Sequence, residues 1–170
     1  GSSFHWGEEA RSVEELIEVS KTPTDGRIVV VQQALRKGAT IQQLFDATAI
    51  DPWFLDQIVL INEIADEVRD AAELDESLLR HAKNHGFSDV QLAELRGTTE
   101  PEVRGIRHAL SVRPVFKTVD TCAGEFPALT PYHYSSYDTE TEVLPSERTK
   151  VVIIGAVILK VVQLVIAAWL

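Results

Sequence analysis

Three sets of side chains in this sequence have the types and spacing that chemistry uses. His81 and His85 stand four residues apart, which puts two imidazoles on one face of a helix. Metal centres use that interval. The residues between them are Ala82, Lys83 and Asn84, with no glutamate to act as a base and no evident third ligand. The better reading is a solvated pair beside a helix C-terminus, where imidazolium is favoured. Cys122 follows Asp120 and Thr121. A nucleophilic thiolate needs a nearby base and a lowered pKa. His133 is available in sequence, but nothing in the spacing places it, so Cys122 reads as a packed small side chain. Tyr132, His133, Tyr134 and Tyr137 have the make-up of a base-stacking platform. They equally suit the anchoring of an extended segment, rings packed and hydroxyls hydrogen-bonded. Phosphate binding lacks its loop: Thr24-Asp25-Gly26-Arg27 is a turn, and no pair of glycines precedes a helix start. No residue is therefore assigned a catalytic, cofactor-binding or metal-binding role.

Charge decides between the two readings of the tyrosines. The formal net charge of the 170 residues is −10. Lys160 is the only charged residue after Lys150, which leaves 15 basic against 26 acidic side chains in residues 1–150. Such a surface repels phosphate backbones, so nucleic acid is excluded as a partner and the tyrosines read as anchors. With 45% hydrophobic residues the chain can bury a core of one ordinary domain. A single cysteine excludes an internal disulfide framework and fits a reducing compartment. Nothing at the N-terminus reads as a signal peptide, and Gly1-Ser2-Ser3 reads as a vector scar or a native linker.

The element that organises the rest is the stretch 51–72. Asp51 suits a helix N-cap and Pro52 the first helical position, where its missing N–H costs nothing. Phe54, Ile58, Ile61, Ala65, Val68 and Ala72 then recur three or four residues apart, which predicts one apolar face. Leu55, Val59 and Leu60 widen it, and Asn62 falls among the polar remainder. Shorter helices pack on this beam. Residues 1–11 read as a loose lead-in in which Trp6 docks. Ser12 with Glu15 is a capping box opening a helix to Ser20. Helices follow over 27–37 and 41–48, the latter with Leu44 and Phe45 inward. After the beam, Asp75, Ser88 and Thr99 each cap a helix, over 76–84, 89–95 and 100–110. Glycine or proline punctuates them. Seven helices with short connections predict an all-α, compact multi-helix domain.

Composition changes after Ser111. Residues 115–137 carry prolines and many Ser, Thr and Tyr, which predicts an extended, packed coil without a ladder of its own. Asp138, Glu140, Glu142 and Glu147 mark a solvated acidic linker. Residues 151–155, VVIIG, have the pattern of a buried strand at the start of a parallel α/β domain. Residues 156–170 are almost wholly apolar, and their length just permits a membrane span. Lys160 at mid-segment and the lack of a basic flank argue against one, so a membrane is not the expected partner.

Four stretches carry a resemblance. They are KTPTDGR (21–27), IDPWFLDQ (50–57), Glu63-Ile64, and VFKTVDTCAGEF with TPYHYSSY (115–126 and 130–137). Together they resemble the large subunit of glutamine-dependent carbamoyl-phosphate synthase over roughly residues 4–155. The pairing of VDTCA with Y-x-Y-S-[ST]-Y is specific to that family. The resemblance implies a helical oligomerisation domain at residues 12–111, between two homologous ATP-using halves. Residues 1–11 would be the lead-in linker, 112–150 the extended coil and acidic linker, and 151–170 an apolar tail that begins like the first strand of the second half. The parent would be a cytoplasmic, ATP-dependent ligase with Mg or Mn. It would make carbamoyl phosphate from bicarbonate and glutamine-derived ammonia for arginine and pyrimidine synthesis. Its partners would be the flanking halves, a glutaminase small subunit that owns the catalytic cysteine, and further copies of the chain. This stretch alone would not be an enzyme. Residues 156–170 depart from the family, with no glycine, asparagine or acidic side chain, and put any ATP site here in doubt. A shifted reading frame or a vector-encoded tail gives such a segment. The competing hypothesis is a small helical adaptor held to a membrane by that tail. A third is a small enzyme using Cys122 or the His81/His85 pair.

Overall fold

The structure is a computed structural model that describes residues 4–126, 132–143, 147 and 149. The strand-like 151–155 and the apolar 156–170 lie outside them. The chain divides into two compact units after Arg113.

The first unit holds seven helices among the described residues: α1 (Val13–Ser20), α2 (Arg27–Arg36), α3 (Ile41–Thr48), α4 (Pro52–Asp70), α5 (Glu76–Asn84), α6 (Asp89–Arg96) and α7 (Glu100–Ala109). Their starts follow from local chemistry. Ser12, Thr40 and Ser88 each accept from the third helical N–H, while Glu15, Gln43 and Gln91 reach back to the cap N–H. Asp51 accepts from Trp53 N–H at 2.8 Å and Asp75 from Leu78 N–H at 2.8 Å. Gly97 ends α6 at φ +61°, a conformation that costs glycine nothing. Ala49 ends α3 in the same left-handed region at φ +56°.

The helix α4 is the beam: α2, α3, α5 and α6 all pack on it, and α1 closes over α2 and α3. The core between α1 and α4 contains Leu16, Val31, Ala34, Leu44, Leu55 and Ile58. The buried face of α4 is Leu55, Ile58, Asn62, Ile64, Ala65 and Val68. That corrects the predicted face, because Phe54 and Ala72 are exposed and Asn62 is inside. The shift is a part-turn of the helix. Phe54 sits about 100° round from Leu55, and Asn62 can enter because a polar partner meets it. Phe45, expected inward, is 39% exposed: Leu44 alone fills that position on α3.

The second unit contains one antiparallel pair among the described residues, β1 (Val115–Val119) and β2 (Tyr132–Ser136), with Val115 opposite Ser136 and Val119 opposite Tyr132. The segment read as extended coil thus does carry a ladder. The far edge of β1 is also engaged. Glu142 N–H donates to Phe116 O at 2.8 Å, and Thr118 N–H donates to the Glu142 carboxylate at 2.8 Å. Lys117 pairs with the same carboxylate at 3.3 Å. Sequence patterns missed this because the alternation is weak and the strands lie far apart in the chain.

Candidate functional site

The side chains that could do chemistry are not brought together. His81 and His85 are in contact, ring centroids 4.6 Å apart and edge to face. His85 Nδ1 lies 2.8 Å from the His81 carbonyl, which can only accept, so Nδ1 carries the proton. Among the described residues no group of three or more His, Cys, Asp or Glu is placed to hold a metal ion. Cys122 sits half-buried in a turn where its own N–H donates to Asp120 Oδ1 at 3.0 Å. Its Sγ faces Thr121 Oγ1 at 3.8 Å, whereas His133 Nδ1 lies 3.3 Å from Thr118 Oγ1. No hydrogen bond joins Cys122 to His133 among the described residues. Tyr132 and Tyr134 are exposed on one face of β2, and His133 lies on the other.

What the first unit does assemble is three devices for holding backbone. The first fastens the lead-in. His5, Gly7, Glu9 and Arg11 alternate along an extended strap, and their carbonyls all accept from α2 or the residue that ends it. Gln33 Nε2 donates to His5 O at 2.6 Å and Arg36 to Gly7 O at 2.8 Å. Lys37 Nζ donates to Glu9 O at 2.9 Å and to Arg11 O at 2.6 Å. Gln32 is fully buried and donates to Asn62 Oδ1 at 2.8 Å, while its own Oε1 accepts from Gln33 at 2.7 Å. The polar layer therefore runs strap, α2, α4. Trp6 is buried and stacks on Phe87, ring centroids 5.2 Å apart. The lead-in is tied rather than loose, and Trp6 docks as expected. The open hollow of about 470 Å³ under the strap is lined by Glu8, Glu9, Ala10, Gln33, Arg36 and Lys37. Both cations there already serve strap carbonyls.

The second device is a buried ionic centre joining α5, α6 and α7. Asp89 accepts from Lys83 Nζ at 2.7 Å and from Arg107 Nη2 at 2.9 Å and Nε at 3.1 Å. All three side chains are buried, and Arg104 reaches the rim at 3.8 Å. Burial alone would push the Asp89 carboxyl up. The bonds from Arg107 and Lys83 outweigh it and hold the group below the usual aspartate range. The cations also carry backbone: Lys83 donates to Phe87 O at 2.8 Å and Arg107 to Val112 O at 3.1 Å. The third device consists of two arginines at helix ends. Arg96 donates to the Val68, Arg69, Ala71 and Ala72 carbonyls that close α4. Arg27 donates to Ser20 O and Thr48 O, tying the ends of α1 and α3.

Sequence reasoning missed both buried clusters. A signal was present in Lys83 and Arg107, which fall at core-facing positions of otherwise apolar-periodic helices. Their shared partner Asp89 is 18 residues from Arg107, and no local pattern links them.

Comparison with known proteins gives these arrangements a setting. Residues 1–111 match the family model described as carbamoyl-phosphate synthetase large chain, oligomerisation domain. The carbamoyl phosphate synthase large chain of Clavibacter michiganensis subsp. michiganensis is 74% identical over 156 residues, 92% of this chain and 14% of that protein. The large chains of Kineococcus radiotolerans and Streptomyces coelicolor are 58% and 57% identical over the same lengths and shares. The chain thus spans about one seventh of the length of these relatives.

Proposed function

The chain belongs to the carbamoyl-phosphate synthetase large-chain family and contains its oligomerisation domain, and from that premise we propose that it is a non-catalytic connector and assembly module. Its contribution is geometric. It holds two ATP-using halves of one polypeptide at a fixed separation, so that an unstable intermediate passes between them, and it offers a face for self-association.

One observation carries this reading: the polar side chains of the helical block are spent on the path of the main chain. Four carbonyls of the strap leading into α1 are held by α2 and Lys37. The segment leaving α7 is held at Val112 by the buried Arg107. A module that fixes the distance between neighbours needs both of its connections pinned, because a frayed connection behaves as a flexible tether. The same groups would be poor catalysts, being already hydrogen-bonded to the main chain within the block.

The parent activity in this reading is ATP-dependent synthesis of carbamoyl phosphate from bicarbonate and glutamine-derived ammonia. It proceeds in the cytoplasm with a glutaminase small subunit as partner, in service of arginine and pyrimidine synthesis. ATP and its Mg or Mn do not fit the described residues: they offer no phosphate loop and no cluster of three metal ligands. Those groups are assigned to the halves outside this stretch. The membrane-anchored adaptor has less support. No helix among the described residues is long and apolar enough to cross a membrane, and the tail that suggested it lies outside them.

The test has two arms. The 170-residue chain, incubated with ATP, Mg and bicarbonate, is expected to hydrolyse no ATP above buffer. Bicarbonate-dependent hydrolysis would overturn the non-catalytic reading. In sedimentation velocity it is expected to self-associate with rising concentration, and a strict monomer at high concentration would overturn the assembly role.

A further inference from the structure

The first turn of α4 carries two aromatic side chains that the helical block does not use. Trp53 is 61% and Phe54 57% exposed, although Leu55 beside them is fully buried. They are not splayed at random: their rings meet edge to face with centroids 5.0 Å apart. The backbone beneath them is fixed by the Asp51 cap and by Pro52. A rigid, preorganised aromatic pair loses little conformational freedom on binding, and large aromatics of this kind anchor interfaces.

The charge around the pair selects the kind of partner. Asp51 and Asp56 are exposed on either side of it, and Asp56 lies three residues from Trp53, on the same side of the helix. Further along α4 the exposed charges are Glu63, Asp66, Glu67, Asp70 and Arg69, and Arg69 is already paired with Asp66. A two-fold contact centred on the pair would set Asp51 and Asp56 of one copy against the same carboxylates of the other. Like charges so placed disfavour association. The complementary surface is an apolar pocket with a basic rim, and it is not this surface of a second copy. The relatives supply room for it, since this stretch covers 14% of their length. A surface within one polypeptide also meets the pair at a high effective concentration.

We infer that Trp53 and Phe54 are the anchor by which the helical block docks into a basic-rimmed apolar pocket elsewhere on the same large-chain polypeptide. Self-association then uses a different face. This inference rests on the connector reading and adds the docking residues to it.

The test uses the full-length polypeptide with the photoreactive residue benzoylphenylalanine in place of Trp53, prepared as a mixture of unlabelled and ¹⁵N-labelled copies. After irradiation, mass spectrometry is expected to show cross-links within copies of one label, to peptides outside residues 1–170 that carry Lys or Arg. Cross-links to residues 1–170 of the opposite label, or no protein cross-link, would overturn the inference. Asp56→Lys in the same background is expected to lower the intrachain yield about tenfold by meeting a basic rim with a cation. An unchanged yield would overturn the basic rim. Far-UV circular dichroism of each variant serves as the folding control, and both substitutions sit at exposed positions. Failure here leaves the ATP-hydrolysis result of the isolated chain untouched, so the two readings fail separately.

Discussion

Asp89→Asn is the sharpest probe of how the block is held together. The substitution keeps the size of the side chain and removes its charge. Lys83 and Arg107 then lose the carboxylate charge that they share inside the protein, their side chains 5% and 9% exposed. Stripping one partner from a buried ion cluster costs about 3–5 kcal/mol, because the remaining charges lose its attraction where water cannot replace it. A domain of this size has roughly 5–15 kcal/mol of stability in total, so about a fifth or more is removed. At roughly 4 °C per kcal/mol the melting temperature falls by about 12–20 °C. Urea unfolding followed at 222 nm should show a lower midpoint with an unchanged slope. A loss under about 1 kcal/mol would refute the reasoning and put the cluster on a par with a surface ion pair. The pH dependence gives a second reading of the same group. The folded pKa of Asp89 lies below its unfolded value. Its contribution is therefore complete above the unfolded pKa, near 4, and is lost as pH falls through the folded value. Asp89→Asn should flatten the acid limb of the stability curve below about pH 4 while lowering its plateau.

Two further substitutions test the polar layer and a helix cap. Asn62→Leu deprives buried Gln32 of its 2.8 Å acceptor. It should cost about 1–3 kcal/mol in the same urea assay despite the added apolar volume, since a buried donor goes unmet; a stabilised variant would show that the polar layer is dispensable. Ala49→Gly should raise stability by about 0.5–1 kcal/mol, because Ala49 holds φ +56° and glycine reaches that region without the Cβ penalty. A drop in the urea midpoint would count against backbone strain at that cap.

The amino-acid sequence by itself determined the number and order of the helices among the described residues, and their limits to within a residue or two. Its caps act within three residues, Ser12 with Glu15 and Ser88 with Gln91, and glycine stops are equally local. Interactions of that range need no fold to be read. It also carried the family resemblance, through short stretches whose spelling is distinctive. The tertiary structure alone decided which side of α4 is inside. The apolar spacing allowed Phe54 or Leu55 as the first core position. In the structure Leu55 takes that position, and the same face carries Asn62, which accepts from Gln32, 30 residues before it. The strap at His5–Arg11 is likewise invisible in local pattern, since its bonds are made by main-chain carbonyls that every residue possesses. The meeting of Lys83, Asp89 and Arg107 belongs to the same class. Charge is written in the sequence, but burial and partnership arise only when α5, α6 and α7 come together, and those two conditions turn three ordinary surface residues into the interior of the block.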